Sequence, residues 1–193
     1  MSDHQYKRLT KKRMSETAKA DGMSLSAGAK TLLYQGDRPV EDMELAQKVA
    51  TDITGSSGKK TVKDTYVQIA FDLMDHCRTG DRNGKKMSKK AIRDRAHEMC
   101  VTIKGGEKKV QASAGAVDIL SGFDVATAEH LMDLAMEVMQ SAGRSTIQER
   151  DVRPLADNVD KCAPSEEAAE EVVEEVKTAP KKRKKAARRK AKK

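Results

Sequence analysis

The sequence predicts an all-α protein made of two copies of one short, long, short helical unit. Three observations carry that prediction. Trp is absent and only Tyr6, Tyr34, Tyr66, Phe71 and Phe123 are aromatic, so a core must be built from Ala, Val, Leu, Ile and ten Met. Such a palette suits packed helices better than a sheet. A pair of punctuation marks then recurs. Ser26-Ala27-Gly28-Ala29, followed by Leu32 and Leu33, returns 87 residues later as Ser113-Ala114-Gly115-Ala116, followed by Ile119 and Leu120. Gly58-Lys59-Lys60-Thr61-Val62 returns 85 residues later as Gly143-Arg144-Ser145-Thr146-Ile147. A repeat of this period marks two equivalent structural units. Finally, apolar residues between the marks recur at steps of three and four, the period of a helix buried along one side.

In the first copy, helices are expected over roughly residues 6 to 19, 26 to 54 and 63 to 76. The long one contains Gly36-Asp37-Arg38-Pro39. Proline removes a helical donor and disfavours helix at the residue before it, so a kink or break is expected there. Residues Cys77 to Lys86 turn polar and Gly-containing, as a flexible linker would. In the second copy the first helix is expected from about Met87 to Ile103, stopped by Gly105-Gly106. The long helix then runs unbroken from the N-cap Ser113 to the stop at Ala142-Gly143, with Leu120, Phe123, Leu131, Leu134 and Val138 on its stripe and Thr127 filling a gap. A last helix covers about Gln148 to Asn158. The resulting division is 1–76 for the first unit, 77–87 for the linker, 88–163 for the second unit and 164–193 for a disordered tail.

The tail is a separate electrostatic object. Glu166 to Glu175 holds six Glu and no basic residue, and Val176 to Lys193 holds 11 basic residues and no acidic one. The overall charge of +8 therefore says little about the body, which is close to balance. Cys77, Cys100 and Cys162 lie far apart, and the N-terminus is polar rather than a secretory leader, which predicts a reducing compartment without a disulfide framework. No apolar run is long enough to span a bilayer. His4, His76, His97 and His130 show no metal-ligand spacing with the cysteines, and no nucleophile, phosphate loop or paired-carboxylate motif stands out. An enzyme, a metal, a cofactor, a small-molecule substrate and a membrane role are accordingly not expected.

Short, long and short helices, with a Ser-Ala-Gly-Ala start to the long one and a Gly-basic-x-Thr loop after it, resemble the histone fold. Residues 142–147 followed by Asp151-Val152 are similar to the second loop of that family, in which Arg144 would be clamped by Asp151. The run from Glu107 to Ala116, with Ala126-Thr127-Ala128-Glu129 and Leu134-Ala135, resembles a type 2A core histone. Ala20-Asp21-Gly22-Met23-Ser24 looks more like type 2B. The resemblance spans roughly residues 6 to 160 and implies a histone doublet, as found in large DNA viruses. The first copy departs from it: Tyr66 stands where the clamp Asp should be and Lys59 where its Arg should be.

The resemblance further implies that the long helices cross antiparallel and that the halves pair as a pseudo-heterodimer, the first loop of one copy beside the second loop of the other. One DNA contact would then join Lys19 and Ser24 to Arg144, Ser145 and Thr146. Another would join Lys59, Lys60 and Thr61 to Lys104, Lys108, Lys109 and Gln111. A third, between the first helices, would use Lys11, Lys12 and Arg13 with Lys89, Lys90, Arg93 and Arg95. These groups would hold phosphates without reading bases. The implied partners are double-stranded DNA, a complementary doublet of type 4–type 3 character, and further copies in an octamer-like particle. The implied location is a virion and host nucleus or viral factory, or else chromatin or a nucleoid, and not the secretory route.

Simpler roles exist for each feature. Lysine clusters also form plain solvated faces, Thr61 and Thr146 also suit helix caps, and Asp151 also serves as a purely structural partner. Glu129, Asp133 and Glu137 share one helical face and suit either ordinary surface charge or a reduced acidic patch for chromatin partners. Lys181, Lys182, Arg183, Lys184 and Lys185 suit a nuclear import signal or a DNA-binding arm. The main alternative function is a histone-fold subunit of a transcription or replication complex that acts through protein contacts.

Overall fold

The computed structural model describes residues 3–35, 38–79, 84–103 and 105–162. Helix α1 (Asp3–Ala20) leads through the Gly22 turn, at φ 70°, to the two-residue strand β1 (Ser24–Leu25). Helix α2 (Ala27–Gln35) begins where Ser26 Oγ accepts from the Ala29 amide at 3.0 Å, and it buries Ala29 and Leu33 one turn apart. After a break, α3 (Val40–Ser56) opens at Pro39, whose φ of −53° suits a helix start. Its buried stripe is Ala46, Val49, Ala50 and Ile53. Gly58, at φ 68°, ends the helix, with the Lys59 amide reaching back to the Thr54 carbonyl at 3.0 Å. Strand β2 (Thr61–Val62) and helix α4 (Asp64–Thr79) complete the half.

The second half repeats this order with one addition. Helix α5 (Lys89–Glu98) is capped by Ser88 and is followed by a hairpin, β3 (Cys100–Ile103) and β4 (Gly106–Lys109). Then come β5 (Gln111–Ala112), α6 (Ala114–Leu120), α7 (Val125–Ser141), β6 (Thr146–Ile147) and α8 (Glu149–Cys162). The all-α class is correct for the framework, since the short strands only join helix ends. Helices α3, α4, α7 and α8 pack together as the centre of the molecule: α3 lies on α8, α7 on α4, and α4 on α8. Those contacts join the helices of the two halves, and both halves belong to one compact unit.

Several expected boundaries are corrected. The long helix of the second copy is not continuous: it stops at Ser121 and restarts after Asp124. Gly122 is part of the reason, because a methyl group there would sit 3.2 Å from the Ile119 carbonyl oxygen. Asp124 is the other part. Its carboxylate accepts from the Thr127 amide at 3.1 Å and the Thr127 hydroxyl at 2.8 Å, so the residue read as filling a gap in the stripe is half of a capping motif. In the first copy the expected break falls where proline placed it, between Gln35 and Val40. The first helix of the second copy ends at Glu98 rather than Ile103, because Val101 and Ile103 alternate with polar residues and pair antiparallel with β4 across Gly105, at φ 77°. The linker is shorter than 77–87: α4 continues to Thr79 with Cys77 buried. Met87 is buried too, its amide donating to the Phe123 carbonyl. The disordered tail expected over 164–193 lies outside the described residues.

Candidate nucleic-acid interface

Breaking both long helices lets each half close on itself. Helix α2 folds back on α4 and α6 folds back on α8. The repeated Ser-Ala-Gly-Ala motif makes this approach feasible. A methyl group on Gly28 would lie 3.0 Å from Asp64 Cβ, and one on Gly115 would lie 3.1 Å from Glu149 Cβ. The loops therefore pair within halves. Strand β1 runs parallel to β2 with Ser24 opposite Thr61, and β5 runs parallel to β6 with Gln111 opposite Thr146. This corrects the expected pairing of loops between copies: Ser24 pairs with Thr61 and Gln111 with Thr146, each within its own half.

Two equivalent edges result. On the first, the Ser24 amide donates to the Lys60 carbonyl at 2.9 Å and the Ser24 and Thr61 hydroxyls lie 3.1 Å apart. Ser24, Lys59, Lys60 and Thr61 are exposed, and Lys19 is exposed at the end of α1, which packs on β1. On the second, the Gln111 amide donates to the Ser145 carbonyl at 3.0 Å, and Lys108 and Lys109 stand exposed on β4, three and two residues before Gln111. Lys104 lies outside the described residues, as do Lys181, Lys182, Arg183, Lys184 and Lys185.

Arg144 is part of the second edge but faces inward. Its two terminal nitrogens donate to the Asp151 carboxylate at 2.9 and 2.6 Å, and Asp151 is fully buried and also accepts from the Gln148 amide at 2.8 Å. A third bond runs from Arg144 to the Thr146 carbonyl at 3.3 Å. The guanidinium is therefore spent on holding the loop to the start of α8. At the equivalent place in the first half, Lys59 is exposed and Tyr66 is buried, its hydroxyl 2.9 Å from Ser141 Oγ at the end of α7. An internal clamp in one half corresponds to a bond between halves in the other.

The cations on the first helices divide in the same way. Lys11 lies over the Tyr34 ring at 5.1 Å, Lys12 approaches Glu16 at 3.8 Å and Arg13 approaches Glu44 at 3.2 Å. Lys89 meets Asp118 at 2.6 Å and Arg95 meets Asp133 at 3.5 Å. Among the described residues, Lys19, Lys59, Lys60, Lys90, Arg93, Lys108 and Lys109 make no ion pair within the protein. Helix α1 packs on β1 and α3, and α5 on β4, β5 and α6.

Glu129, Asp133 and Glu137 do lie on α7, but Asp133 is engaged by Arg95. Partial burial, then the nearby carboxylates of Asp72 and Asp133, raise the pKa of Glu137 above the usual carboxylate range. Sequence reading missed the pairs that tie α4 to its surroundings. Arg78 forks onto the nearly buried Asp42, with one bond of 2.6 Å. Arg38 forks onto Asp75 at 2.8 and 2.6 Å and lies over the Phe71 ring at 4.6 Å. His76 and His130 stack across the halves with centroids 4.1 Å apart. None of these pairs shares a spacing that a linear reading could pick out.

Among the described residues no group of three or more His, Cys, Asp or Glu is arranged to hold a metal, and no helix is long and apolar enough to cross a membrane. The arrangement offers two exposed edges of lysines, hydroxyls and an amide, one in each half. No protein-family model, no curated protein and no solved structure matches the chain.

Proposed function

We propose that this chain is a histone doublet: an architectural protein that holds and compacts double-stranded DNA with little regard for sequence. The observation that carries the reading is the pair of equivalent loop edges, Lys19, Ser24, Lys59, Lys60 and Thr61 on one half and Lys108, Lys109, Gln111, Ser145 and Thr146 on the other. Their cations make no ion pair among the described residues, and lysines and hydroxyls suit phosphate oxygens while carrying no base-reading geometry. Two such points on one rigid body would grip a duplex at two places and favour its bending between them. Because bending costs energy, wrapping requires several bodies in succession. A complementary doublet resembling the other pair of core histones, with further copies of this chain, would supply them. The basic tail adds a sequence-independent electrostatic arm.

A second reading, a histone-fold subunit of a transcription or replication complex that acts through protein contacts, is favoured by one observation. Arg13, Lys89, Arg95 and Arg144 are engaged by carboxylates of the protein itself, which leaves fewer cations for phosphate. Nuclease digestion of DNA reconstituted with the chain, alone and with a complementary doublet, separates the two. Discrete protected lengths are expected for wrapping. A featureless smear under both conditions would favour the protein-contact reading.

A further inference from the structure

Cys77 and Cys162 are 85 residues apart, the same offset that relates Gly58 to Gly143 and Thr61 to Thr146. They are therefore one position of the repeat. Each stands at the end of the last helix of its half, Cys77 two residues before the end of α4 and Cys162 as the final residue of α8. Helices α4 and α8, which occupy the same place in the repeat, pack on each other. Both side chains are buried in the same apolar cluster, Cys77 at 6% and Cys162 at 2% exposure, and Cys77 is the strongest influence raising the Cys162 pKa. Cys100, by contrast, is exposed on the hairpin.

We propose that Cys77 and Cys162 are a redox-responsive covalent staple between the halves, closed by thiol–disulfide exchange with a low-molecular-weight disulfide. The neighbouring Cys77 side chain, followed by burial and the Cys77 charge, raises the Cys162 pKa. Arg78 and Lys161 place positive charge beside the pair and offset part of that cost. The Cys77 thiolate attacks one sulfur of the external disulfide, forming a mixed disulfide and expelling one small thiolate. The Cys162 sulfur, losing its proton, then attacks the Cys77 sulfur and expels the second. Two protein thiols are oxidised, the external disulfide is reduced to two small thiols, and these carry away the two protons. Fraying of two helix ends gives the reagent access without opening the centre of the bundle.

The staple closes a loop of roughly 85 residues, so it removes substantial freedom from the unfolded chain. It fixes α4 against α8, the contact that holds the two loop edges at one mutual distance. It is independent of whether those edges bind DNA.

The full-length chain carrying Cys100→Ser, so that only the buried pair can react, is incubated in native buffer with oxidised glutathione and mapped by mass spectrometry after digestion without reductant. A linked Cys77–Cys162 peptide is expected, with a Tm raised by about 10 °C that returns on adding dithiothreitol. Adding Cys77→Ser or Cys162→Ser to that background should abolish both signals. The proposal is overturned if the folded protein keeps both thiols reduced or carries only glutathione adducts. It is also overturned if the link forms only in denaturant, or if it leaves the Tm unchanged.

Discussion

Replacing Arg144 with Ala tests the division of labour between the two second loops. Asp151 is fully buried and takes three of its hydrogen bonds from two donors, the Arg144 guanidinium at 2.9 and 2.6 Å and the Gln148 amide at 2.8 Å. Removing the guanidinium leaves a buried carboxylate with one neutral partner, and breaking a buried pair from one side costs about 3 kcal/mol. That corresponds to a fall in Tm of roughly 6–12 °C for a chain of this size. The repeat supplies its own control. Lys59 stands at the equivalent place, is exposed and makes no ion pair among the described residues, so Lys59→Ala should change stability by less than about 0.5 kcal/mol. The assay is thermal and urea unfolding of both variants followed by circular dichroism, with DNA affinity measured beside it. If Arg144→Ala melts like the parent but loses DNA affinity, the inward-facing clamp is wrong and Arg144 is a phosphate ligand.

Other perturbations reach different parts of the structure. Gly28→Ala and Gly115→Ala would each relieve helix-propensity cost, yet the new methyl groups meet Asp64 and Glu149, so both should destabilise by about 1–3 kcal/mol. A gain in Tm for either would mean that α2 or α6 does not fold back. Partial burial and the carboxylates of Asp72 and Asp133 raise the pKa of Glu137. A carboxyl with a raised folded-state pKa contributes stability below its unfolded value, and that contribution is lost as pH rises through the folded value. Glu137→Gln should therefore raise the Tm at neutral pH and have no effect well below pH 4, checked by melts across that range. Removing Lys60 or Lys108 should each lower the steepness of the dependence of log affinity on log salt by about 0.9 without creating sequence preference. Unchanged slopes, measured by titration at several salt concentrations, would remove those lysines from the interface.

The parts of the fold set by local chemistry could be read from the chain. Pro39 announced the break in the first long helix, Ser113 announced a cap and Gly143 a stop, because each acts within a turn of itself. The break at Ser121 to Asp124 was hidden because the apolar stripe on either side stays in phase. Only the relation of Asp124 to Thr127, three residues apart and typical of a cap, could have signalled it. Missing that break also reversed the pairing of the loops, since a straight helix carries its first loop away from its own second loop and a broken one brings it back. The lysines of the edges were legible as exposed charges, whereas their partners were not: the distance from Arg95 to Asp133 depends on how α5 meets α7. The equal offset of Cys77 and Cys162 was present in the sequence, and it acquires meaning only once α4 and α8 are known to cross.

The two halves secure the same bend by different means, and that difference bears on how each responds to solvent. In the first half Arg38, beside Pro39, reaches α4 and forks onto Asp75 while lying over Phe71. Bonding from Arg38 holds the Asp75 carboxyl below its ordinary range against the opposing effect of burial, and both groups are partly exposed, so the tie is open to screening by salt. In the second half the bend is held by Asp124. Burial alone would raise its pKa, but hydrogen bonds from Thr127 and neighbouring amides outweigh it and lower the value. Asp124 contributes stability above its unfolded pKa, and this is lost as pH falls through the depressed folded value. The short-range, partly buried hydrogen bonds of that cap are much less sensitive to ionic strength. Raising salt at neutral pH should therefore loosen the first bend before the second, whereas acid below about pH 4 weakens both. Hydrogen exchange at the amides of Met43 and Ala128, the first full turns after each bend, distinguishes the cases. Equal acceleration of both amides by salt would show that Arg38 and Asp75 do not hold the first bend.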